Sequence, residues 1–190
     1  LATHEFAIGG PSFDLPWPPA RNPWNTNRHP GGSSSGSGAA VAAGLLPGAL
    51  GSDTGGSVRH PASMCNLAGI KPTYGRVSRA GVVPLSFSLD NVGPLTRTVE
   101  DNAIMLTAIS GHDPRDPASA RAEATDFTAD LDKGVKGMKI GIVRHFYETD
   151  LKAQAEMAAS IDAAAETLRE LGAIVEEVEM SPLSEYAAVN

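Results

Sequence analysis

Cysteine is almost missing from this 190-residue sequence. Cys65 stands alone, so no intrachain disulfide can form, and a reducing compartment, the cytoplasm, is the setting that fits. Long apolar runs are missing too. None approaches the ~20 residues that a membrane-crossing helix needs, and the polar, proline-interrupted start does not read as a signal peptide. There is no basic tract. With a formal charge of −7, the chain has no patch to neutralise phosphates, which disfavours direct nucleic-acid binding. Its 20 glycines and 14 prolines stay below the share that marks disordered low-complexity chains.

Other absences remove familiar sites. No glycine-lysine pair occurs, so the phosphate-cradling loop of nucleotide hydrolases is excluded. "GSGAAV" breaks the G-x-G-x-x-G dinucleotide pattern at Val41. "HEFAI" opens like a zinc-binding H-E-x-x-H but has Ile8 where the second ligand belongs. Gly32 to Gly36 match G-x-S-x-G, yet the "NPWNTNRHP" before them cannot be the strand that a nucleophile elbow requires. No metal or organic cofactor is implied.

What is present is a globular composition, 42% hydrophobic and 19% charged. Residues 1–32 are rich in proline, tryptophan and asparagine and read as an ordered loop. "SGSGAAVAAGLL" reads as a small-residue helix ended by Gly44, and "LPGALGS" as a short buried strand. "VRHPASMCN" predicts another short helix. "LAGIKPT", "GRVS" and "NVGPLTR" predict strands, and "TVEDNAIMLTAISG" predicts a helix capped by Thr98 and stopped by Gly111. Residues 112–137 form a polar connection. Residues 138–179 predict a βαβ unit, whose helix carries Met157, Ile161, Ala164, Leu168 and Leu171 at helical spacing. Strands separated by crossover helices imply a mainly parallel sheet covered on both faces.

Two loops carry hydroxyls among glycines. The first is "PGGSSSGSG", Pro30 to Gly38. The second is "GSDTGGSVRHP", Gly51 to Pro61, where Ser57 follows two glycines just before a predicted helix. Glycines let a substrate approach the backbone. Consecutive amides at a helix start can hold negative charge, as the tetrahedral intermediate of acyl transfer requires. Asp53 is placed to brace such a loop by accepting backbone hydrogen bonds, and Arg59 to pair with a carboxylate there. Taken singly, either loop also reads as a glycine-rich turn with a serine cap. Two such loops joined by a small-residue helix and an apolar strand resist that account. His60, three residues after Ser57, offers a competing base; its simpler reading is structural. Cys65 reads as a packing residue, and Asp90 and Asn91 as a turn.

The stretch from "PGGSSSGSGAAVAAG" through "GSDTGGSVRHPASMCNLAGIKPTYGRVS" to "LDNVGPLTRTVEDNAIML" resembles the amidase signature family, with "THEFAIGG" and "ARNPWN" adding to the likeness. The resemblance is strong over residues 1–115, with the signature core at about 30–115, and rests on general layout beyond it. It implies an α/β/α fold with a large mixed, mainly parallel sheet, of which residues 1–190 form an internal piece of a single domain. It implies a Ser–cis-Ser–Lys triad in which Ser57 is the nucleophile and Ser33, 24 positions earlier, is the bridging acid–base. The oxyanion hole falls on Thr54, Gly55, Gly56 and Ser57; Asp53, Arg59 and Ser34 support the loops. Ser35 replaces a usual glycine, with no role assigned.

One element of the family pattern is missing. Its lysine lies well upstream of the signature, whereas the first lysine here is Lys71, which reads as structural. The sequence starts at Leu1 rather than methionine and ends without a helix stop. The expectation is therefore a fragment, inactive alone, of an enzyme that hydrolyses a small-molecule amide. The alternatives are the glutamine-hydrolysing component of a tRNA-dependent amidotransferase, for which nucleic acid would be an indirect partner, and a non-catalytic domain of the same fold. Homodimer formation is left open.

Overall fold

The computed structural model describes residues 1–123 and 125–188. The chain divides into two compact units, Leu1–Leu131 and Asp132–Asn190.

The first unit begins with an extended loop holding one 3-10 turn, Glu5–Ala7. Helix α1 follows at Ser35–Ala42, strand β1 at Gly48–Asp53 and helix α2 at Arg59–Cys65. Strand β2 is the two-residue Ala68–Gly69, β3 is Asn91–Thr96, and helix α3 is Val99–Ile109. The three strands form one sheet in the order β1–β3–β2, with both pairs antiparallel.

Alternation along the strands explains the layers. Leu95 packs with Val58, just before α2, and with Ala62 of α2 on one face, while Val92 packs with Val77 and with Leu106 of α3 on the other. Residues of opposite parity point to opposite faces of a strand, so β3 is covered on both sides and all six of its residues are buried. On β1, Ala49 and Asp53 share the parity of the Leu95 face through the pairing Ala49↔Leu95. Small side chains there let α1 lie close. Asp53 then closes the strand pointing toward the start of α2.

Helix ends follow local chemistry. The Thr98 hydroxyl accepts the Asp101 amide and caps α3. Gly44, at φ +73°, and Asn66, at φ +56°, turn the chain out of α1 and α2 in the left-handed region. "LAGIKPT" yields only the short β2, since Pro72 brings no N–H for a continuing ladder. "GRVS" yields a single bridge, Val77↔Ser110; the turn closed by the Arg76 amide on the Thr73 carbonyl comes too soon before it for a strand.

The second unit has β4 at Lys139–Ile142, a π-type turn at Phe146–Asp150, α4 at Ala155–Glu170, β5 at Ile174–Glu177 and α5 at Leu183–Ala187. Strands β4 and β5 are parallel, which completes the βαβ unit. Parallel pairing thus belongs to this unit, while the first unit's strands are antiparallel. On α4, Ala165 is the buried residue; Ile161 and Leu168 are half-buried, and Met157, Ala164 and Leu171 are exposed. The buried stripe runs at i, i+4 and i+7 through 161, 165 and 168, one edge of the broad apolar face in the sequence. Among the described residues no helix is long and apolar enough to cross a membrane.

Candidate functional site

The two serine loops meet at the sheet's α1/α2 face. The peptide between Gly32 and Ser33 is cis. The Ser34 amide donates to the Ser57 carbonyl at 3.4 Å, so the first loop lies directly against the second. Gly31 makes this approach feasible. It sits at φ +82°, and a Cβ there would stand 2.5 Å from Pro61 Cα, so no larger residue fits beside α2.

Ser33 is 1% exposed. Its carbonyl accepts from Thr3 Oγ1 at 2.9 Å and from Ser35 Oγ at 3.4 Å. Its own hydroxyl is buried and has no hydrogen-bond partner among the described residues. The Ser33 and Ser57 hydroxyls are therefore not bonded to each other here. Ser57 is half-buried on the turn leading into α2. Ser34 Oγ donates to the Ser52 carbonyl at 3.4 Å, and Ser37 Oγ to the Leu50 carbonyl at 2.8 Å; these bonds tie α1 along β1. Ser35, unassigned from sequence, is buried with the loop.

Asp53 organises the second loop. It is fully buried. Oδ1 accepts the Gly56 amide at 2.7 Å; Oδ2 accepts the amides of Val58 at 3.1 Å and Arg59 at 3.3 Å. The Arg59 guanidinium adds Nη2 to Oδ1 at 2.9 Å and Nε to Oδ2 at 3.0 Å. Burial pushes this carboxyl up, but the Arg59 side chain and the three amides together outweigh it and hold it below the ordinary carboxylate value.

The Gly56 amide, one of the four expected donors, is bonded to Asp53. The amides of Thr54, Gly55 and Ser57 meet no acceptor among the described residues. Gly55 is exposed, and Thr54 and Ser57 are half-buried.

Sequence reasoning missed Asp90, which it placed in a turn. Asp90 is buried, takes the Thr54 hydroxyl on Oδ1, and accepts the amides of Leu85 at 2.8 Å and Ser86 at 3.0 Å on Oδ2. No signal in the sequence sets it apart from a turn aspartate. Lys71 Nζ donates to the neighbouring Pro72 carbonyl, a local bond outside both serine loops. His60 accepts the Gly32 amide on Nδ1 at 3.4 Å and is a support of the first loop. The Cys65 thiol is fully buried and donates to the Pro30 carbonyl at 3.3 Å; burial pushes it up. Among the described residues no group of three or more His, Cys, Asp or Glu could hold a metal ion.

The family model described as Amidase matches residues 2–189. The chain is 50% identical to the A-type subunit of glutamyl-tRNA(Gln) amidotransferase from Halothermothrix orenii over 183 residues, 96% of this chain and 38% of that protein. The chain thus spans well under half the length of the relatives it matches. A crystal structure of the corresponding amidotransferase protein from Thermotoga maritima superposes with a TM-score of 0.91 at 44% identity, covering 98% of this chain and 41% of that one. A bacterial aryl acylamidase of the amidase signature enzymes superposes at 0.80 and 38% identity, covering 92% of this chain and 36% of that one.

Proposed function

Because this chain belongs to the amidase family, we propose that it carries the two-serine part of an amide-hydrolysing site, with Ser57 as nucleophile and Ser33 as bridging acid–base. The observation that carries this is the Ser33 hydroxyl, sealed from solvent beside the Ser57 loop without a partner among the described residues. An unsatisfied buried hydroxyl costs about 1–3 kcal/mol, a cost that a proton-relay role explains.

A serine hydroxyl attacks an amide poorly until a base takes its proton. In this scheme a lysine outside this chain, neutral in its site, draws the proton from Ser33 Oγ as Ser33 Oγ draws one from Ser57 Oγ. Side-chain rotation brings the two hydroxyls into contact when substrate binds. Ser57 Oγ then bonds to the carbonyl carbon. The oxyanion lies on the Thr54, Gly55 and Ser57 amides, each such donor worth about 3 kcal/mol in the transition state. Ser33 returns a proton to the departing amine, the C–N bond breaks, and water hydrolyses the acyl-enzyme through the same relay. Asp53, Arg59 and Ser34 hold the loops in place. Both compact units are parts of one amidase domain in this scheme, and the substrate is a small-molecule amide. The single buried thiol fits a cytoplasmic setting.

The test is amide hydrolysis and labelling by a fluorophosphonate in the full-length gene product. Ser57→Ala should abolish labelling, and Ser33→Ala should lower kcat by about 10³-fold or more. Undiminished turnover by Ser57→Ala would overturn the scheme, and no turnover by the wild type would favour a non-catalytic domain. A second scheme is favoured by the names of the relatives, which are components of glutamyl-tRNA(Gln) amidotransferases: the same chemistry would release ammonia for a partner protein. Co-purification with such partners, and ammonia transfer to charged tRNA, distinguish it.

A further inference from the structure

The turn that carries Ser33 hangs on two histidines. The Gly31 amide donates to His29 Nδ1 at 2.9 Å, and the Gly32 amide donates to His60 Nδ1 at 3.4 Å. The two imidazoles are stacked, with centroids 5.9 Å apart and planes at 23°. Consecutive amides immediately before Ser33 therefore each end on an imidazole lone pair. On its far side His29 is confined by loop backbone, since a Cβ on Gly10 would collide with its Nε2.

We propose that His29 and His60 are positioning residues that hold the Gly31–Gly32 turn through their Nδ1 lone pairs, and that acid releases this turn and Ser33 with it. The inference deepens the serine-relay scheme and rests on it for its effect on activity. A backbone N–H can only donate, so each Nδ1 must be unprotonated and each ring, when neutral, carries its proton on Nε2. Adding a proton to Nδ1 sets an N–H against an N–H. The hydrogen bond is lost, and the amide turns away. Both rings are exposed enough to exchange protons with solvent.

The charged groups around the two rings are few. Arg21 and Arg28 line the same hollow as His29. Arg59, next to His60, is paired with Asp53. His4, in the N-terminal loop, lies against Gly9. Among the described residues no carboxylate forms an ion pair with either ring. Partial burial, and then the neighbouring His60, hold His29 below the ordinary imidazole value. The neutral, turn-holding state of His29 is thus complete above about pH 6.5 and is lost as pH falls through its lowered value.

Asparagine offers a carbonyl oxygen near the position of Nδ1 and does not titrate in this range. In the full-length gene product, the His29→Asn, His60→Asn double variant should keep neutral-pH kcat within about threefold while its acid limb becomes shallower, the part due to the lysine base remaining. Wild type should fall more steeply there, since the histidine bonds and the lysine base are lost together. His29→Ala should lower kcat at all pH values with little change in KM. In glycine-labelled wild-type protein, the Gly31 and Gly32 amide resonances should titrate together with the histidine ring signals. Flat amide resonances between about pH 5 and 8, or an unchanged acid limb in the double variant, would overturn the inference. The resonance measurement needs neither the variants nor turnover. It therefore decides the histidine bonds even if the variants fail to fold or the relay scheme is wrong.

Discussion

Asp53 and Arg59 are joined by two parallel hydrogen bonds of 2.9 and 3.0 Å, one to each carboxylate oxygen, with the acid fully buried and the arginine side chain 52% exposed. The asymmetry sets what each side loses. Asp53→Ala leaves three amides without their acceptor and should cost about 2–4 kcal/mol. Arg59→Ala leaves the carboxylate on those amides and should cost about half as much, because the guanidinium is half in water. Urea unfolding of the two variants compares them; a larger loss for Arg59→Ala would contradict the assignment of Asp53 as organiser.

The same carboxylate predicts an acid limb. Its folded value lies below the ordinary one, so its contribution is present above about pH 4 and is lost as pH falls through the depressed value. Asp53→Asn should be less stable at neutral pH and flatter in acid. Parallel stability–pH curves for the two proteins would exclude Asp53 as the source.

Thr54 and Asp90 predict a split between folding and turnover. Thr54→Val removes the hydroxyl that Asp90 accepts but leaves the carboxylate its two amides. Stability should fall by about 1 kcal/mol, while kcat falls by about tenfold or more as the neighbouring donors shift. Wild-type kcat in a stable Thr54→Val protein would remove Asp90 from the site.

Gly51 predicts a packing limit. A Cβ there would stand 2.5 Å from Ser34 Oγ and 3.0 Å from Leu95 Cδ1. Gly51→Ala should cost about 1–3 kcal/mol, and Ser34→Gly in the same background should recover part of it. Calorimetry on both proteins reads this directly; a neutral Gly51→Ala would mean that α1 is free to move away from β1.

Cys65 predicts a latent thiol. Burial raises it and hides it, so iodoacetamide should label it only in denaturant. Rapid labelling of the folded protein would show that α2 opens readily.

Much of this molecule is legible in residue order because its signals are local. Thr98 and Gly111 bracket α3, Gly44 ends α1, and Asp53 precedes the amides that it braces by a few positions. Asp90 was not legible: its partner Thr54 lies 36 positions away, and nothing local distinguishes it from a turn aspartate. The bond from the Gly56 amide to Asp53 was not legible for a related reason. Glycines after Asp53 offer donors to a substrate and to Asp53 alike, and only coordinates show which acceptor took them.

Order along the chain, by itself, marked the candidates for chemistry: two hydroxyl-bearing glycine loops, a lone cysteine, and an acid a few positions before an arginine. Packing decided the rest. The sheet brings two serines 24 positions apart onto touching loops, turns one donor inward, and sets two histidines beneath the cis turn. Those relations depend on which strand faces pair, and long-range pairing is a property of the assembled layers rather than of any local segment.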